Sequence, residues 1–131
     1  MDHSWISEGD NDAEVLTVKI WVEGFPIRII CGYGPQEYDG EDRKDKFWDY
    51  LNSEVANAKR DGASIIIQMD GNLWAGKKIM PNDPKPQNQN GKPFEEFLLK
   101  NPNLTVVNAT NICEGRFTQV RNISKTIIDF L

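Results

Sequence analysis

The chain has 131 residues and a formal net charge of −5, with 39% apolar and 27% charged residues. That length supports one domain with a real core, the composition excludes a disordered or fibrous chain, and the acidic balance excludes a surface that holds a phosphate backbone by bulk charge alone. An enzyme acting on phosphodiesters stays open, because carboxylates that gather a divalent cation reverse the electrostatics locally.

Cys31 and Cys113 stand outside any CxxC spacing, which fits a reduced compartment. The sequons at Asn103, Asn108 and Asn122 are read as chance. Residues 1–14 carry Asp2, Glu8, Asp10, Asp12 and Glu14, too much charge for the apolar segment of a signal peptide, and no stretch reaches transmembrane length. An intracellular chain, cytoplasmic or nuclear and without a membrane partner, is expected.

In chain order, residues 1–14 read as a disordered, acidic lead-in. Leu16, Val18, Ile20 and Val22 recur with period two, the mark of a strand with one buried face, while Trp21 falls on the opposite face. Glu23-Gly24 makes a turn, and the apolar run over 27–31 pairs back as a hairpin before the loop Gly32-Tyr33-Gly34-Pro35. Phe47, Leu51, Val55 and Ala58 then lie on one side of a helix expected over 41–59. Residues 64–69 suit a strand buried on both faces, and the strand, helix, strand order implies a parallel pair. A long loop over 75–93, a short helix over 93–100, and strands over 104–107 and 127–131 follow, with Phe117-Thr118 beginning a further strand.

Ligands in open α/β sheets collect beyond the carboxyl ends of strands. Two polar clusters fall there: Tyr33 with Gly34-Pro35, and Asp70-Gly71-Asn72. In an extended backbone Asp70 and Asn72 point to the same side. Asp70 could take a proton from an attacking water while Asn72 and the Tyr33 hydroxyl hold phosphate oxygens. The plainer reading of D-x-N after a strand is an Asx-turn or a helix cap.

The order of several motifs adds to this. Ile29-Ile30-Cys31-Gly32-Tyr33-Gly34-Pro35-Gln36, then Ile65-Ile66-Ile67-Gln68-Met69-Asp70-Gly71-Asn72, then Asn90-Gly91 with its helix and Leu104-Thr105-Val106-Val107-Asn108 form the first part of the series. Phe117-Thr118 and Ser124-Lys125-Thr126-Ile127-Ile128-Asp129-Phe130 complete it. The series resembles the endonuclease/exonuclease/phosphatase superfamily, and in particular the endonuclease domain of non-LTR retrotransposon reverse transcriptases. The resemblance implies a DNase I-like four-layer α/β sandwich, held in part by residues 15–131, and hydrolysis of DNA phosphodiesters with Mg²⁺. It also implies that Tyr33 faces the phosphate, Asp70 positions or deprotonates the attacking water, Asn72 contacts the scissile phosphate, and Asp129 orients a catalytic histidine. Trp74 and Gly76 resemble a continuation of the motif, with Trp74 a substrate contact, and Lys77 and Lys78 could meet a phosphate backbone.

Met69 and Gly71 depart from the family pattern, which has glycine before the aspartate and a bulky residue after it. The family's upstream asparagine and metal-binding glutamate, and its downstream serine-aspartate-histidine, have no match. Glu14 and Glu23 lie outside the glutamate's context, and His3, the one histidine, cannot stand for the catalytic one. The metal ligands are therefore unknown, and a fragment inactive alone is expected. A phosphomonoesterase or inositol-phosphatase of the same superfamily, and a non-catalytic binding module, remain alternatives.

Overall fold

The computed structural model describes residues 3–6, 15–81, 83, 85–110, 119–121, 124–126 and 129–130, with backbone alone for 3–6 and beyond 110. Its elements run β1 (His3–Ile6), β2 (Val15–Val22), β3 (Phe25–Tyr33), α1 (Glu41–Arg60), β4 (Ser64–Asp70), α2 (Gly91–Lys100), a 3-10 turn (Val107–Ala109), β5 (Gln119–Arg121), β6 (Ser124–Thr126) and β7 (Asp129–Phe130). One sheet has the order β1-β2-β3-β4-β7, and β5 and β6 pair separately. Only β3 and β4 pair in parallel, as the crossover through α1 requires.

The β2–β3 hairpin closes through Glu23 (φ 51°) and Gly24 (φ 81°), both left-handed, the two-residue turn whose twist matches that of the strands. Within the expected lead-in, His3–Ile6 instead forms an edge strand against β2, with Trp5 opposite Val18. The aromatic and β-branched residues of this stretch supply its strand propensity.

The covered face of the sheet differs from the one the hydrophobic alternation suggests. Val15 and Thr17 of β2 and Arg28 and Ile30 of β3 are buried, whereas Leu16, Val18 and Ile20 are half-buried and Val22 is exposed. Polar contacts decide this. Glu54 of α1 accepts hydrogen bonds from Thr17 Oγ1 (2.9 Å) and Arg28 Nη1 (3.0 Å), and Asp61 after the helix accepts from Arg28 Nη2 (3.0 Å). A pattern that scores only apolarity assigns Thr17 and Arg28 to solvent, yet they are the groups that dock the helix. For the same reason β4 is not buried on both faces: α1 covers one side, Met69 is buried, and Ile66 on the other side is 41% exposed.

The core lies between this face and the helices, with Ile30, Phe47, Leu51, Val55, Phe94 and Phe97 at its centre. Trp48 joins the two helices, edge-on to Phe47 with centroids 5.1 Å apart and stacked on Phe94 at 6.1 Å. Gly32 makes room for this, since a Cβ there would lie 3.3 Å from the Phe47 ring. Each such side chain contributes roughly 1.5–3 kcal/mol on burial.

Residues 104–107 do not form the expected strand. Leu104 N–H bonds back to Asn101, and the chain then turns through the 3-10 segment, closed by Thr110 Oγ1 on the Val107 carbonyl at 2.7 Å. Leu104 and Val106 line an apolar cleft of about 290 Å³ beside β4 and α2. The expected start of a strand at 117–118 lies outside the described residues, as do 127, 128 and 131 of the strand expected over 127–131, of which β7 is the described part.

Removing one partner of a buried ion pair strands the other charge, a loss of about 3–5 kcal/mol. Arg28→Ala should therefore lower unfolding stability by about that amount in urea titration, and Glu54→Gln placed on top of Arg28→Ala should cost little more. Strictly additive losses would show that the Arg28–Glu54 contact carries no coupling.

Candidate active site at the carboxyl ends of β3 and β4

The parallel register brings Tyr33 opposite Asp70 on the last rung of the β3–β4 ladder. Gly34 N–H extends the ladder by one bond, to the Asp70 carbonyl at 2.6 Å. The contact is possible because residue 34 has no side chain: a Cβ there would lie 2.5 Å from the Gly71 carbonyl oxygen, a backbone atom that cannot swing aside.

Beyond the ladder the chain leaves the extended conformation. Asp70 Oδ1 accepts the Asn72 backbone N–H at 3.1 Å, an Asx-turn, and Asn72 has φ 45°. The alternation that would point Asp70 and Asn72 the same way thus stops at Asp70, and the plainer turn reading describes the local backbone. Asparagine is among the residues that tolerate this left-handed region best. The turn aims the Asn72 side chain back at β3, where Nδ2 donates to the Gly34 carbonyl at 2.7 Å. That bond uses one amide proton and leaves the second N–H of Nδ2.

Tyr33 is 44% exposed at the same rim, and its hydroxyl oxygen accepts from Gln36 Nε2 at 3.1 Å. An oxygen that accepts in this way keeps its own proton to donate. Asp129 pairs with Asp70 across the β4–β7 rung, so all four sequence-derived positions converge on one end of the sheet, Asp129 by its backbone register.

Trp74 is half-buried where the chain leaves the turn. Its N–H donates to Asn88 Oδ1 (3.0 Å), its carbonyl accepts from Asn88 N–H (3.2 Å), and Lys85 Nζ sits 4.7 Å from the centre of the indole ring. Asn88 therefore pinches the long loop at its neck. Gly91 belongs to the same neck, since a Cβ there would lie 2.1 Å from the Trp74 carbonyl oxygen. Gly76, at φ 78°, makes the first bend, accepting the N–H groups of Ile79 and Met80 on its carbonyl. Lys78 pairs with Glu95 of α2, and Lys77 is exposed.

The sequence reading gives no role to three residues that the fold places here. Asn88 holds the loop neck, Asn90 bridges two loops, and Asp83 is fully buried with Oδ1 accepting the Lys85 N–H at 3.0 Å. The spacing of two asparagines just before a helix was the available signal for the first two. Among the described residues no three His, Cys, Asp or Glu side chains come together in a way that could hold a metal ion. No helix among the described residues is long and apolar enough to cross a membrane.

A scan against protein families finds no match, and no curated protein matches the sequence. Among solved structures the chain is similar to the "Endonuclease domain of TRAS1, a telomere-specific non-LTR retrotransposon", at 15% sequence identity and a TM-score of 0.58. The match covers 98% of this chain and 53% of that one, so the chain spans about half the length of the structure it resembles. The fold is thus an α/β fold shared with part of that domain, in line with the resemblance read from the motifs.

Two outcomes follow from this geometry. Gly34→Ala should destabilise the chain by about 1–3 kcal/mol, the usual cost of overpacking, and should speed hydrogen exchange at the residue-34 amide; an unchanged denaturation midpoint would contradict the close approach. At the loop, the hydrogen bonds from Lys78 first and Gln87 second hold the Glu95 carboxyl below the usual carboxylate range. A lowered folded pKa stabilises above the unfolded value, and that contribution disappears as pH falls through the folded one. Lys78→Met should bring the Glu95 titration, followed by NMR, back towards the ordinary value.

Proposed function

We propose that this chain is part of a phosphodiester-cleaving endonuclease, and that the rim formed by Tyr33, Asp70 and Asn72 holds the scissile phosphate. The observation that carries the reading is the fastening of two strand ends into one constellation of a phenol, a carboxylate and an amide, on a fold shared with an endonuclease domain. In-line attack of water on phosphorus needs a base for the water proton and donors for the non-bridging oxygens, where charge builds. Asp70 is the base. The Tyr33 O–H and the second N–H of Asn72 are the donors, and Asp129, as the motif resemblance implies, would orient a catalytic histidine. Trp74 lies against the substrate beside the scissile bond.

DNA is the proposed substrate, and residues 15–131 are proposed to form one part of a four-layer sandwich. The half-buried sheet face with Leu16, Val18, Ile29 and Cys31, opposite α1, would then pack on a second sheet. A divalent cation would serve such hydrolysis by neutralising phosphate charge. None of the steps above runs through such a cation, and, because the family's metal-binding glutamate and catalytic histidine have no match in this sequence, we expect the 131 residues alone to nick DNA at background level.

Plasmid nicking in Mg²⁺ tests this, with the chain alone and with the chain expressed together with its flanking coding sequence. The longer protein should convert supercoiled to nicked DNA, and Asp70→Ala or Asn72→Ala should lower the rate at least 100-fold, the scale expected when a base or an oxyanion donor is lost. Nicking that survives both substitutions would remove the site assignment. Activity on an inositol phosphate with none on DNA would move the substrate to another class.

A further inference from the structure

Asn90 stands at the entrance to α2 and is 4% exposed. Its Nδ2 donates to two carbonyls from different loops, Pro35 at 3.0 Å and Asn72 at 3.1 Å. Both acceptors are main-chain oxygens, so the chemistry fixes the orientation of the amide: nitrogen must face them and oxygen must point away. That oxygen is buried and has no hydrogen-bond partner among the described residues. The amide is thus poorly matched as a packing group and well matched as a donor to two strand-end loops.

We propose that Asn90 is a positioning residue for the phosphodiester site, setting the spacing at which Tyr33 and the Asp70–Asn72 turn meet a phosphate. The proposal builds on the function proposed above. Asn72 is held at three points: its N–H by Asp70, its side chain by Gly34 and its carbonyl by Asn90. The loop after β3 is likewise held at three, the Gly34 N–H by the Asp70 carbonyl, the Gly34 carbonyl by the Asn72 side chain and the Pro35 carbonyl by Asn90. Asn90 is the group that touches both loops without belonging to either. Without its donor, the Asn72 and Pro35 carbonyls lose their common partner, and the left-handed turn at Asn72 loses one of its restraints.

The test uses Asn90→Asp, nearly isosteric but with oxygen facing both carbonyls, and Asn90→Ala. Asn101→Ala is the control, a buried asparagine at the other end of α2 that bonds to Phe97 and Asn52. In the ¹⁵N-labelled chain, both Asn90 substitutions should speed exchange of the Gly34 amide at least tenfold and shift the Asn72 side-chain amide resonances. Asn101→Ala should do neither. In the nicking protein, both should lower kcat at least tenfold with KM little changed. Asn90→Asp should regain part of the loss as pH falls and its carboxyl, whose charge is disfavoured between two carbonyls, takes a proton and donates again. Asn90→Ala should show no such pH step.

Unchanged Gly34 exchange and Asn72 resonances, or changes equalled by Asn101→Ala, would overturn the proposal, and this readout serves even if the chain alone does not cleave. Nicking abolished by Asn72→Ala but insensitive at Asn90 would overturn it while upholding the phosphodiester site. Nicking insensitive to both would remove that site, and with it the role assigned to Asn90.

Discussion

The candidate site depends on how closely the carboxyl ends of β3 and β4 can approach. Two strands in parallel normally separate once their ladder ends. Here the ladder continues past Tyr33 into the Gly34–Asp70 bond, and the space between Gly34 and Gly71 is too small for a methyl group. Glycine at position 34 lets main chain touch main chain. Once that contact exists, a short asparagine side chain at position 72 can reach across to the opposite loop.

The sheet could not hold this geometry without a rigid floor, and the floor is unusual in being fastened by charge. Arg28 lies in the middle of β3 with carboxylates from α1 and the turn after it, and its Nε lacks a partner among the described residues. A buried ion pair of this kind adds little net stability compared with apolar packing, but it strongly penalises any other docking of the helix. It thereby favours the sheet face that α1 covers, the face on which Phe47 packs against Gly32.

Most of the secondary structure could be read from the sequence because it follows from short-range regularities: the Glu23-Gly24 hairpin, the four-and-three spacing of α1, and the isoleucine run of β4. The face of β2 was misread for a physical reason. Period-two apolarity is present, but Thr17 and Arg28 on the other face find partners 26 to 37 residues away, and pattern reading has no access to such partners. Residues 104–107 were misread because their β-branched composition favours a strand, while the turn back to Asn101 supplies local hydrogen bonds instead. At the site, chemical type and chain order point to Tyr33, Asp70 and Asn72, and the fold brings the three to one rim. The turn at Asn72 is local, closed by Asp70 two residues before it, whereas the bridging by Asn88 and Asn90 joins groups 14 to 55 residues apart in sequence, and the spacing of the two asparagines does not say which groups they meet.

The bridge also bears on the chemical ageing of the molecule. Asn90-Gly91 is the dipeptide in which an unhindered glycine nitrogen most readily attacks the asparagine side-chain carbonyl carbon, expelling ammonia and leaving aspartate or isoaspartate. In the folded chain the Gly91 nitrogen is tied to both the carbonyl and the side-chain oxygen of Asn88, at 3.0 and 2.9 Å, and the Asn90 amide is locked between two loops. The geometry for attack is denied. In the unfolded chain nothing denies it, so time spent unfolded is recorded at position 90 as a negative charge facing two carbonyl oxygens. A molecule aged in this way refolds with the join between its strand ends already broken.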